Sequence, residues 1–245
     1  MSGARHVNGS DNSNISPSIL PKIVIGALLL VALVLGYFGL GLFRAGLASY
    51  QANAFLDDWV KTGIPKERAW SVALAASTKA NTLYPSENGE YLDQLGRVYE
   101  WRFADKPFGA EIGQESNIAA LQSYQRAVNS RPYWPYTWSQ LAYTKMRLWQ
   151  FDAEFDQALR QAFATGSWRY ATLAQLSEIG LLVWQELTLD QQELMQEIFR
   201  RTDQVNHVPT LKRLAALVDQ HNRVDVFCSA LKENRQKAYP VCKPN

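Results

Sequence analysis

From Ile23 to Phe43 the chain runs for 21 residues without a charge, through Leu, Val, Ile, Ala and Gly. As a helix rising about 1.5 Å per residue, that run is about 30 Å long, the thickness of a hydrocarbon core. Lys22 and Arg44 flank it. Gly36, Gly39 and Gly41 would weaken a soluble helix, but glycine is common in membrane spans. They lack strict small-xxx-small spacing with one another. A core helix of a soluble protein seldom runs so long without a charge. The apolar core of a signal peptide is shorter, about 7–15 residues. Ala52-Asn53-Ala54 has the small-x-small form of a cleavage site, although it lies well past the run. A cleaved signal therefore stands as the alternative to a retained anchor.

Charge asymmetry orients the span. Arg5, Lys22 and the amino group precede it against Asp11 alone, while Arg44 and then Asp57 and Asp58 follow. Positive flanks stay on the cytoplasmic side. The expectation is a single-pass protein with a cytoplasmic N-terminus and its C-terminal part outside; in a Gram-negative bacterium that means the bacterial inner membrane and a periplasmic C-terminal domain. Residues 1–20, rich in Ser, Asn and Gly, cannot bury a core and are expected to be disordered. The division that follows is 21–44 for the span, 45–65 for a helical juxtamembrane connector, and 66–245 for a helical domain.

Three of the 25 Lys and Arg (Arg5, Lys22, Arg44) and one of the 23 Asp and Glu (Asp11) precede residue 45, so the rest balances at 22 of each. A neutral domain lacks the basic face that a nucleic-acid partner requires. The two cysteines, Cys228 and Cys242, sit near the C-terminus. In an oxidising compartment their spacing suits a disulfide that pins the tail, the alternative being two free thiols.

Beyond the span the chain reads as helix after helix, with no alternating strand pattern and no hairpin turn signal. The span is expected to continue helically to Lys61, where Gly63-Ile64-Pro65 breaks it. Expected helices follow at 66–83, 90–103, 116–129, 136–150, 152–165, 168–187, 190–204, 210–221 and 224–237. The fold class is all-α, a tetratricopeptide-like stack of hairpins with degenerate C-terminal capping helices. Leu92, Leu95, Gly96 and Tyr99 fit the first helix of such a unit, and Ala120, Tyr124, Ala127 and Pro132 the second. Residues 104–115 form an insertion between them. Trp138, Leu141, Ala142 and Lys145 open the next unit, 46 residues after Leu92 and so in step once the insertion is counted. Phe155, Leu159 and Ala162 belong to its second helix. Ala73, Ala80 and Pro85 resemble the second helix of an incomplete earlier unit. An irregular helical bundle is the plainer alternative.

Residues suited to catalysis or metal binding are sparse. His207 and His221 have no Cys or carboxylate at ligand spacing, so zinc is not expected, and no cofactor is expected for the chain. Asp152, Glu154 and Asp156 lack the glycine and terminal glutamate of a calcium loop. Asp152 is better read as a helix cap, with Asp156 near the positive end of the helix dipole. No phosphate loop or nucleophile elbow is present, and the chain is not expected to be an enzyme. Repeat geometry points positions 2, 5, 9 and 12 of each first helix into a concave groove. In one unit these are Glu90, Asp93, Arg97 and Glu100. In the next they are Tyr136, Ser139, Tyr143 and Met146. The mixed charged and aromatic groove suits a peptide or partner segment. In the aromatic run from Tyr133 to Trp138, packing between repeats is the better account of Trp138.

The stretches Tyr91-Leu92-Asp93-Gln94-Leu95-Gly96-Arg97-Val98-Tyr99-Glu100-Trp101, Ala120–Ala127, Arg131–Trp138, Asp152–Ala162 and Gly166-Ser167-Trp168, behind a single N-terminal membrane helix, resemble the VpsP-type proteins of bacterial exopolysaccharide clusters. The resemblance covers roughly residues 20–200. The segment around Trp134 is also similar to the tetratricopeptide tails of some O-antigen ligase-like polymerases. What the resemblance implies is an accessory role in polysaccharide synthesis or export, with a protein of that machinery as partner and no catalytic residues. The alternatives are a subunit of a glycan-acting enzyme and a general envelope assembly factor unrelated to polysaccharide.

Overall fold

The computed structural model describes residues 20–237 and 239–242. The stretch expected to be disordered, residues 1–20, lies outside these except for Leu20, the first residue of α1. Helix α1, Leu20–Thr62, is a single uninterrupted helix of 43 residues, about 65 Å long at about 1.5 Å per residue. It contains an 18-residue window of mean hydropathy 2.7 with none of it buried, so it is long and apolar enough to cross a membrane. Gly63 ends it in the left-handed region at φ 88°, where a side chain is disfavoured.

The character of α1 changes along its length. Residues 21–44 are almost wholly exposed, whereas Ala45, Ala52, Leu56 and Trp59 are buried. They pack on α2, Glu67–Leu83, and on α3, Gly89–Trp101. Gln94 Nε2 donates to the Ser49 carbonyl at 2.9 Å, and Trp70 Nε1 donates to the Val98 carbonyl at 2.8 Å. The rings of Trp59 and Trp101 approach to 6.1 Å. Residues 45–62, expected as a helical juxtamembrane connector, form the first helix of a hairpin with α2. Sequence left the first unit incomplete because its missing helix is the continuation of the apolar run.

Three more hairpins follow. Helix α3 pairs with α4, Glu111–Ser130; α5, Pro135–Arg147, with α6, Ala153–Gly166; and α7, Tyr170–Leu182, with α8, Leu189–Val205. Helices α9, Val208–Gln220, α10, Val224–Ala230, and α11, Glu233–Gln236, close the stack. No strand occurs among the described residues. The protein is all-α, and the succession of hairpins is consistent with a tetratricopeptide-like arrangement.

Local chemistry sets most boundaries. Asn88 caps α3 by accepting from the Glu90 and Tyr91 amides, and Asp152 caps α6 by accepting from the Phe155 amide at 3.0 Å. Pro135 opens α5. Thr188 and Gln191 form a reciprocal capping box at α8, which satisfies two orphan amides. Three expectations shift. Helix α4 begins at Glu111, so part of the insertion lengthens a helix instead of forming loop. The helix expected over 168–187 ends at Leu182 and is followed by a 3₁₀ turn, Trp184–Glu186. The last expected helix breaks after Ala230, where Leu231 turns extended. A straight helix would carry Arg235 away from Asp203 and the tail away from Cys228. The break folds both back, and Cys228 and Cys242 are joined by a disulfide with Cα atoms 5.6 Å apart.

Candidate functional site

The first helices α3, α5 and α7 lie side by side and present one face of the stack. Three adjoining recesses run along it. The first, about 440 Å³, lies between Glu90, Asp93 and Arg97 on one side and Arg131, Trp134 and Tyr136 on the other. The second, about 150 Å³, is bounded by Arg97, Glu100, Trp101, Tyr143 and Arg147. The third, about 350 Å³, lies between Tyr143 and the α7 residues Tyr170, Gln175 and Glu178, with Thr210 and Arg213 of α9 at its edge. Gln140 borders all three, so the recesses form a continuous groove.

The eight expected residues divide by helical angle. Positions seven apart share a face, while a step of three falls about 60° behind. Glu90 and Arg97, and likewise Tyr136 and Tyr143, look into the groove. Asp93 and Glu100 turn towards α5, where Asp93 accepts from Thr137 at 2.7 Å and Glu100 contacts Thr144. Their counterparts one unit later, Ser139 and Met146, turn towards α7. Ser139 is buried and donates to Gln175 at 2.7 Å. Met146 is fully buried in the core. The expectation that Ser139 and Met146 line the groove is thus corrected. They belong to the contact between successive units. The groove stripe of α5 is Tyr136, Gln140, Tyr143 and Arg147, at a regular 4-3-4 spacing that a search of α5 for one polar helical face would have found.

Electrostatics follow from this placement. Asp93 is pushed up by burial, opposed by Arg97, whose Nε lies 3.3 Å from its Oδ2. Burial raises Glu100 to about 7, against the bonds it accepts from Thr144 and Tyr124. Tyr124 donates its hydroxyl proton to Glu100 at 2.7 Å. Thr144 Oγ1 touches both Glu100 and the Gln140 carbonyl. A hydroxyl carries one proton and can satisfy one of these. Burial, then the charge of Glu178, raises Tyr143 to about 12, so it faces the groove as a neutral hydroxyl. Arg147 is held by the Phe103 carbonyl at 2.8 Å.

The acidic cluster at α6 is structural. Asp152 and Glu154 accept from the buried Lys145 at 2.9 and 2.7 Å. Asp156 is bound by Arg160 and Gln191. Trp138 is buried and donates to the Pro132 carbonyl at 2.7 Å, a packing role. Among the described residues no three His, Cys, Asp or Glu side chains gather closely enough to hold a metal. No protein-family model matches the chain, and no curated protein resembles it significantly.

Proposed function

We propose that this protein is a membrane-anchored helical-repeat adaptor that holds an extended segment of a partner protein along the α3–α5–α7 groove. The observation that carries the proposal is the joining of three recesses through Gln140 into one polar and aromatic channel. Repeat stacks bind extended partners along such faces, and a tether raises the local concentration of partners in the same membrane. A retained anchor, as against a cleaved signal, is supported by the small-x-small segment itself. Ala52 is buried between helices, and cleavage after Ala54 would remove Ala45, Ala48 and Ala52 from the core. The periplasmic orientation and the exopolysaccharide role rest on charge asymmetry and on the sequence resemblance.

The test is site-specific photocrosslinking in native membranes with a benzophenone amino acid at Tyr143. Adducts with a component of polysaccharide synthesis or export support the adaptor. Adducts confined to unrelated envelope proteins would sink the polysaccharide assignment, and no adduct at all would sink the groove.

One observation favours a second reading, a subunit of a glycan-acting enzyme. Glu100, raised to about 7, borders a recess and could exchange a proton at neutral pH. Purified protein that shortens or lengthens polymer, and loses that ability as Glu100→Gln, would establish it.

A further inference from the structure

Helix α1 leaves the membrane and runs away from it, and each later helix reverses direction. The turns α2–α3, α4–α5, α6–α7 and α8–α9 therefore all face back towards the end from which the apolar run emerges. Contacts fix this row step by step. A β-carbon on Gly41, inside the apolar run, would stand 3.6 Å from the Leu83 carbonyl at the end of α2. One on Gly89 would meet Arg131 at 2.8 Å, and one on Gly166 would meet Pro135 at 2.6 Å. Tyr170 stacks on His207 with ring centroids 4.1 Å apart. The first turn thus lies level with the last residues of the apolar run. The other three continue outwards from it.

This end of the stack carries exposed aromatics. Tyr133 is 84% exposed and Trp134 42% in the α4–α5 turn; Trp168 in the α6–α7 turn is 63% exposed, and Tyr170, which opens α7, 51%. Val208, which opens α9 after the α8–α9 turn, is also exposed. Arginines lie against the indoles, Arg131 at 5.0 Å from Trp134 and Arg201 at 4.3 Å from Trp168. Arg169, next to Trp168 in the chain, is exposed. Of the acids at this end, Glu87 is countered by Arg126 at 2.8 Å, Glu90 by Arg131 at 4.0 Å and Asp203 by Arg235 at 2.6 Å. Trp and Tyr partition to the headgroup region because one part of the side chain is apolar and another hydrogen-bonds. Arginine adds attraction for anionic lipid.

We propose that the stack stands on the bilayer, with the α4–α5 and α6–α7 turns seated in the lipid headgroup region through Tyr133, Trp134, Trp168 and Tyr170. The inference rests on α1 being a membrane span. The span would then leave the hydrocarbon near Leu40. The groove would be held beside the membrane surface at a fixed attitude.

None of the eight tryptophans lies in the apolar run, the first being Trp59. Lipid-borne quenchers consequently report contact by the domain and not by the span. Full-length protein is reconstituted in phosphatidylethanolamine–phosphatidylglycerol vesicles, with or without bromines high on the acyl chains. Contact of two indoles of the eight with the headgroup region predicts a partial loss of emission in brominated vesicles. Trp134→Phe with Trp168→Phe should remove that loss, while Trp149→Phe, in the turn after α5 at the opposite end, should leave it. Equal emission from both vesicles, with the chain firmly inserted, would overturn the docking alone. Quenching that survives the double substitution would overturn the assigned surface. A chain that washes off the vesicles in alkaline carbonate would overturn the span and the docking together.

Discussion

Tyr124 lies against Gly96 so closely that a β-carbon on Gly96 would come within 2.6 Å of its ring. The contact joins the two helices of the second hairpin, and Tyr124 is fully buried. Overpacking of this kind costs about 1–3 kcal/mol. Gly96→Ala should lower the unfolding free energy of the full-length protein in detergent by that amount. Combining it with Tyr124→Leu should cost less than the sum of the two single changes. Strict additivity would mean the contact is not the source of the loss.

Stability should depend on pH through Glu100. Its ordinary value of 4.5 is raised to about 7 in the folded protein. Between these values the folded state binds the proton that the unfolded state has released. Its contribution is therefore full below about 4.5 and lost as pH rises through about 7. Buried Asp93 acts in the same direction. Glu100→Gln keeps a neutral group in place. Over that interval it should flatten the decline in unfolding free energy seen in the parent. Parallel curves for the two proteins would show that Glu100 does not titrate as argued.

Reduction of the Cys228–Cys242 bond should loosen the tail first. The two residues are 14 apart in sequence, and closing a loop of that length contributes about 3 kcal/mol in the chain-entropy account. Arg235 and Tyr239 also hold the tail to Asp203, at 2.6 and 2.7 Å, so part of the contact should survive. A Cys228→Ser, Cys242→Ser protein should lose up to that amount and be clipped by protease near Lys232 or Lys237. An unchanged midpoint and an intact tail would assign the pinning to Asp203.

Within the groove, Tyr143→Ala and Gln140→Ala should abolish partner capture while the helical circular dichroism stays unchanged. Both side chains border more than one recess and neither is in the buried core. Ser139→Ala should instead act on stability, about 1 kcal/mol for a lost hydrogen bond, with capture retained. A reversal of these two outcomes, read by crosslinking yield, would return Ser139 to the groove.

Sequence alone determined what depends on neighbours along the chain. The uncharged run required a helix long enough to cross a membrane. Caps such as Asp152, breakers such as Gly63 and Pro135, and small residues at hairpin spacing set most helices. Those features act over one or two turns, where spacing dictates geometry. Tertiary structure decided three other matters. It made residues 45–62 the first helix of a hairpin, which no local pattern distinguishes from an exposed continuation. It turned Asp93 and Glu100 onto Thr137 and Thr144, and Ser139 and Met146 into the next contact. Those residues sit at the side of the groove-facing stripe, and the packing of the neighbouring helix determines what they meet. It also brought Trp134 and Trp168, 34 residues apart, to the same end of the stack. That alignment arises from the alternating direction of packed helices, a relation between elements that no single segment contains.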